Sequence, residues 1–364
     1  MPIFADDRDS FQACHQLAEA TLPPLRLRAL LLAAGGDPQT ALTLRVGLSP
    51  RQIERLDRAS ATPLPASALK IAQDLGVHVV PIGVTGYPEA LLPFDDSPPL
   101  LFVRGQLPDK PSLAIVGSRR ATSYGKGQAV RFATRFAEAG IIVTSGGAAG
   151  IDTAAHQGAL DAQGGTIAII ACGLDYTYPA ENRGLFERIV AQGGAIVSEF
   201  ALGTRPEPWR FPARNRIIAG LSQATVVIES PEQSGALITA RNAAEYGRDV
   251  WVVPGAVDTG RSRGGHRLIQ DGASLADGPE DVLEALASFP RAVNLSLPLE
   301  TTPTLPSLSP DEAALLVQFS DTTVHLDEAA EAAGLAPSQA LVAATLLEMK
   351  GLATRQPGNH FIRS

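Results

Sequence analysis

Two neighbouring stretches decide the fold: LAIVGSRR (residues 113–120) and IIVTSGGAAGID (residues 141–152). Each runs as an apolar strand without polar alternation, then breaks into a glycine-rich turn ahead of a helical segment. Two such turns at the carboxyl ends of adjacent strands make a concave site where backbone N–H groups and helix starts converge, which is a seat for an anion. Arg119 and Arg120 beside the first turn, with further arginines at 210–216, suggest that the anion carries phosphate.

Outward from there, strand and helix alternate regularly. The strands expected are LAIVG (113–117), GIIVTSG (140–146), TIAIIAC (166–172), GAIVSEF (194–200), ATVVIES (224–230) and DVWVVPG (249–255). The helices between them are expected to begin near Gly125, Asp152, Asn182, Ala213 and Gly235. This is the signature of the α/β class: a Rossmann-like, mostly parallel sheet covered on both faces.

Upstream, residues 10–75 read as short helices separated by Gly and Pro, a small helical domain. Its LAAGGD (32–37) and KIAQDLG (70–76) segments resemble helix–hairpin–helix turns, which meet a DNA backbone through glycine N–H groups; packing or dimerisation is the alternative reading. VHVVPIG (77–83) and YPEALLPFDDSPPLLFVRG (87–105) lead into the main domain.

Downstream, a Pro-, Ser- and Thr-rich stretch reads as a linker. Three helical segments and LATRQPGNHFIR (352–363), a hairpin with its turn near Gly358 and Asn359, then predict a winged helix. Its third helix carries Glu348 and Lys350 rather than a basic face, which favours protein contact or autoregulation over DNA reading. The expected domains are residues 1–78, 79–287 and 308–364, with 288–307 as linker.

The chain has 364 residues, 45% hydrophobic and 19% charged, with a formal net charge of −8. That balance argues against a polyanion partner until its distribution is read. From Lys110 to Gly220 there are 12 Lys or Arg against 8 Asp or Glu; from Gln270 onward there are 4 against 13. Local field steers a polyanion more than total charge does, so phosphate belongs to the middle of the chain. No apolar run approaches a membrane span, and MPIFADDRDS opens with acidic residues rather than a secretory pattern. Cys14 and Cys172 are far apart and unpaired in spacing, which predicts free thiols, a cytoplasmic location and no structural zinc.

In GSRR, Gly117 permits close ligand approach, Ser118 can donate to phosphate and Arg119 can clamp it bidentately. The stretch is neither a Walker A loop nor a GxGxxG fingerprint, so no nucleotide cofactor is implied. The second loop offers Ser145, Gly146, Gly147 and Gly150, with Asp152 as the expected helix N-cap and His156 one turn on; no second histidine nearby suggests a metal site.

In FPARNRIIAGLS (211–222), Pro212 suits a first helical turn, which puts Arg214, Asn215 and Arg216 near a positive helix end. Cations there need an anion, either a phosphodiester or salt bridges to Glu199 or Glu207. Ser234 and Gly235 open a further helix, with Thr239 a turn later lining the same crevice. Tyr176, Tyr178, Trp209 and Phe211 lie in connecting loops, where rings can stack on unpaired bases or simply pack. Nothing resembles paired catalytic carboxylates or a nucleophile with its base, so the expectation is not an enzyme.

Successive blocks then match one family in order: YPEALLPFDDSPPLLFVRG, IVGSRRATSYG, SGGAAGIDTAAH, ACGLDYTYPAEN, SEF, FPARNRIIAGLS, SGALITARNAAEYGRDVWVVPG and LIQDGA. Across almost its whole length the chain resembles the DNA processing protein A family (DprA, also called Smf). The resemblance implies a cytoplasmic homodimer that binds single-stranded DNA without sequence preference. It also implies loading of the RecA recombinase during natural transformation and homologous recombination.

Carried onto this sequence, the strand-binding pocket takes Arg119, Lys126, the Ser145–Gly147 loop and Arg214 to Arg216. The N-terminal part resembles the family's SAM-like extension and the tail its winged helix. Ala149, Gln157 and His266 depart from the residues frequent in the family, the first two in the sense of weaker DNA binding. The rival reading is a hydrolase of nucleotide N-glycosidic bonds, with Asp152, Glu199 or Glu229 as acid–base groups. A third is a scaffold acting mainly through the winged helix.

Overall fold

The computed structural model describes residues 2–288, 308–320, 323–350, 352–356 and 360–363. The expected linker, apart from Ser288, and the turn at Gly358 and Asn359 lie outside the described residues. Contacts divide the chain into two compact units, residues 1–44 with 55–296 and residues 45–54 with 297–364.

The larger unit is built on a ten-stranded sheet among the described residues. Its strands are β1 (Ile3–Phe4), β2 (Val77–Pro81), β3 (Leu100–Gly105), β4 (Ser112–Gly117), β5 (Ile142–Ser145), β6 (Thr166–Ile169), β7 (Ala195–Ser198), β8 (Ala224–Ile228), β9 (Asp249–Val253) and β10 (Ser274–Leu275). They lie in the order β1-β2-β3-β7-β6-β5-β4-β8-β9-β10. From β7 to β10 every pairing is parallel, while β1, β2 and β3 join antiparallel at one edge. The mostly parallel α/β core expected from the sequence is therefore present, and the six strands read there become β4 to β9.

Both faces of the parallel part are apolar because helices cover them. Phe132 and Phe136 of the helix Ser123–Glu138 lie fully buried against Leu113, Ile115, Val226 and Ile228. Burying rings of that size contributes about 1.5–3 kcal/mol each. Consecutive strands β4 to β7 step outward in one direction, and the chain then crosses back to lay β8 on the other side of β4. That reversal leaves a crevice over the carboxyl ends of β4 and β8, where open α/β sheets bind ligands.

The N-terminal helices (Arg8–Glu19, Pro24–Ala33, Pro38–Thr43, Pro50–Ser60 and Ala66–Asp74) follow the expected helical pattern, but β1 precedes them and joins the sheet edge. Their glycine turns do not present free N–H groups. Gly35 N donates to Leu32 O, Gly36 N to Leu31 O and Gly76 N to Gln73 O. A side chain at Gly36, whose φ is +83°, would also run into Val84. Of the two readings of these turns, DNA backbone contact and packing or dimerisation, the hydrogen bonds favour packing, because each of these N–H groups is spent inside the fold.

The smaller unit contains the helices Pro310–Gln318, Leu326–Ala333 and Pro337–Met349, with strands Val324–His325, Ala353–Gln356 and His360–Arg363 forming a small antiparallel sheet. This is the winged helix that the sequence predicts. Ser309 and Glu312 form a capping box, and Glu312 also accepts a hydrogen bond from Lys350 Nζ at 2.5 Å. Phe319 and Phe361 stack in its core with centroids 5.4 Å apart. No helix among the described residues is long and apolar enough to cross a membrane.

Candidate nucleic-acid interface

The crevice at the strand reversal has a volume of about 780 Å³. Its floor is the turn after β4. Gly117 lies so close to β8 that a Cβ there would collide with the Ile228 carbonyl and with Ile151. Gly150, at φ +86°, presses equally close to the Ser118 carbonyl, which accepts the Ile151 N–H at 3.1 Å. The two glycine-rich turns are thus locked to each other through backbone, and only glycine fits at both contacts.

Gly150, not Asp152, is the N-cap of the helix Ile151–Asp161, which corrects the capping role expected of Asp152. Asp152 sits inside the first turn, buried, accepting the Ala148 N–H at 3.3 Å. Behind it is Arg214, also buried, whose Nη1 donates to the Gly146 carbonyl at 2.7 Å. A side chain at Gly146 would strike both Asp152 and Arg214, so its absence lets the two approach. Burial raises the Asp152 pKa, against the pull of Arg214. Burial likewise lowers Arg214 to about 10, with Asp152 acting in the opposite sense.

His156 lies further along the same helix and is fully buried. Its Nδ1 is 2.7 Å from Thr166 Oγ1, whose own hydrogen goes to Val143 O at 2.6 Å. The imidazole must therefore donate through Nδ1–H. Burial first, and Arg214 second, lower its pKa to about 3.

The residues expected to bind the anion separate into two groups. Gly117, Ser118, Arg119, Arg214, Asn215 and Thr239 line the crevice. Ser145, Gly146, Gly147, Lys126 and Arg216 do not. Ser145 is buried and donates to Ile115 O at 2.6 Å, and the Gly147 carbonyl accepts from Asn182 Nδ2 at 2.9 Å. These loop residues form the frame behind the wall. Lys126 is exposed on the helix Ser123–Glu138, outside the crevice.

Arg216 makes a bidentate pair with Glu199, both contacts at 2.7 Å. Burial opposes its charge, but Glu199 prevails and holds its pKa above the ordinary value. The salt bridge weighed as the alternative is thus formed, and Arg216 needs no external phosphate. Glu207 pairs with Arg210 instead, at 3.5 Å.

Four arginines line the cavity, Arg119, Arg120, Arg214 and Arg261, against one carboxylate, Asp152. Arg119 is exposed, and its guanidinium lies 4.7 Å from the ring centre of Phe211, which in turn lies 5.4 Å from Tyr178. Tyr178 and Phe211 face the cavity. Trp209 is 60% exposed at the adjoining helix start, and Tyr176 is not part of the wall.

Sequence reasoning missed Arg261 and did not carry Arg120 or Gly235 into the site. Arg261 follows a turn at the carboxyl end of β9, and the rule that located GSRR applies there too.

Glu229, directly after β8, has φ +50° and accepts hydrogen bonds from the Thr122 N–H (2.7 Å) and the Thr122 hydroxyl. Thr122 is the N-cap of the helix Ser123–Glu138, and Gly125 leaves room for the carboxylate.

A doubly wound sheet with an arginine-lined crevice at its strand reversal defines an α/β protein of the kind whose ligand sites lie at the carboxyl ends of the strands. The family model for DNA recombination-mediator protein A matches residues 78–287, and that for the DprA winged helix domain matches residues 300–359. The chain belongs to the DNA recombination-mediator protein A family.

Protein Smf of Escherichia coli is 36% identical over 328 residues, covering 87% of this chain and 85% of its own. DNA processing protein DprA of Streptococcus pneumoniae is 43% identical over 199 residues, covering 54% and 70%. The X-ray structure of the S. pneumoniae protein aligns with a TM-score of 0.63 at 34% identity, covering 78% of this chain and 98% of that one. A structure of DNA processing protein A from Helicobacter pylori, concerned with its single-stranded DNA binding mode, aligns at 0.51 and 31% identity, covering 56% and 94%.

Proposed function

We propose that this protein binds single-stranded DNA in the crevice, without sequence readout, and as a cytoplasmic homodimer loads the RecA recombinase onto the strand during natural transformation and homologous recombination. The observation that carries the DNA reading is the wall itself: four arginines facing one buried carboxylate, with Tyr178 and Phe211 beside them. Phosphates rest on Arg119, Arg120 and Arg261 and on the turn at Gly117 and Ser118. Asn215 and Thr239 line the same crevice, and bases stack on the rings. Arg214 and the Ser145–Gly147 loop hold the wall in place. The RecA and homodimer parts rest on family membership.

The rival hydrolase reading has two of its three carboxylates engaged elsewhere, Glu199 with Arg216 and Glu229 with Thr122. A salt titration of binding to labelled oligo-dT and to a duplex of equal length tests the proposal. Preference for the single strand, with affinity falling steeply as salt rises, is the expected result. Absence of binding at low salt overturns it.

A further inference from the structure

Next to the arginine crevice is a second cavity of about 550 Å³. It is lined by Tyr124 and Glu229 together with Pro254 and Ala256 of the loop after β9. The two cavities share Thr259 and Arg261. Arg261 Nη1 donates to the Arg120 carbonyl at 3.1 Å, so a cationic sill separates them.

Tyr124 is 49% exposed although it stands in the first turn of a packed helix. Its hydroxyl donates to the Pro254 carbonyl at 2.8 Å, which fixes the ring while half its surface stays open. Glu229 in the lining repels phosphate, whereas Pro254, Ala256 and the ring offer apolar surface. The cavity therefore suits an uncharged, flat group next to an anion held on the sill.

We propose that this second cavity receives an unpaired base of the same strand, stacked on Tyr124, with the phosphate before it on Arg261 and Arg120. The proposal rests on the single-strand reading of the first crevice and extends the strand's path beyond it. Base–aromatic stacking tolerates every base, and its loss is expected to cost about tenfold in affinity.

The test is a length series of oligo-dT, from a few nucleotides upward, bound to the full-length protein and to Tyr124→Ala, Tyr124→Phe and Ala256→Trp. The wild type is expected to gain about tenfold once the oligonucleotide passes the sill. Tyr124→Ala should match it on the shortest oligonucleotides and lack that gain, whereas Tyr124→Phe keeps the ring and the gain. Ala256→Trp, on an exposed loop, fills the cavity and should remove the gain without touching the first crevice.

A full gain in Tyr124→Ala or Ala256→Trp overturns the second cavity, as does a Tyr124→Phe variant that loses as much as Tyr124→Ala. Failure of the wild type at every length overturns instead the reading of the first crevice, on which this one stands.

Discussion

Two regions of this chain have folds that commonly meet nucleic acid, the sheet crevice and the winged helix, and their surfaces differ sharply. The crevice gathers four arginines, from two turns and one helix, around one buried carboxylate. The third helix of the winged unit instead exposes Leu341, Val342 and Leu346. Residues 308–364 carry 7 Asp or Glu against 3 Lys or Arg. A recognition helix needs donors for base edges and phosphates, and this one presents apolar side chains. Fold alone would have pointed to the tail; the placement of charge points to the sheet.

The largest effect expected is on the crevice frame. Arg214→Ala leaves the Gly146 carbonyl without its donor and Asp152 buried without its counter-charge, at a cost of about 3 kcal/mol or more. Urea unfolding checks this, and DNA binding should fall with it because the loop loses its support. Arg119→Ala should weaken oligo-dT binding about tenfold while leaving the unfolding midpoint in place, since the side chain is exposed and its contact is with a ring. The salt dependence should become shallower by about 0.7 in logarithmic slope, the share of one phosphate on a single strand. An unchanged slope would remove Arg119 from the comparison.

A smaller, pH-dependent effect comes from His156. Its native pKa of about 3 lies below the unfolded value near 6.5, so the unfolded chain takes up the proton first. The stability from this group is complete above pH 6.5 and is lost as pH falls toward 3. His156→Asn keeps a donor for Thr166 and should flatten unfolding free energy between pH 6.5 and 4. The smallest effect is expected from removal of residues 308–364, which should leave oligo-dT affinity within about twofold. A large loss there would break the contrast between the two regions.

The sheet was legible because buried parallel strands are continuous apolar runs, and β4 to β9 are such runs. The edge was harder: β1 has only two residues, Ile3 and Phe4, too short to show a period. At the site, strand ends and glycines located the crevice, and Arg119 could be placed from its neighbours alone. Arg216 could not be decided: the sequence offers Glu199 as one of two carboxylate partners beside a phosphodiester, and only the folded chain brings the two residues, 17 apart, together. Ser145 and Gly147 read as ligand donors because serine and glycine serve equally well to support a loop from behind. Which role they take depends on where Ile115 and Asn182 sit.

Glu229 gives the fold a resident anion. Its left-handed backbone costs about 1–2 kcal/mol, and the carboxylate it delivers occupies the positive end of the helix after β4. In dinucleotide-binding sheets of this kind a pyrophosphate takes that seat. Here the protein supplies its own substitute, so the strongest point attractor for a free nucleotide is already satisfied. What remains open to an anion is the arginine-lined surface beside it, which under the proposed function serves as a lane for a polymer rather than a socket for a nucleotide.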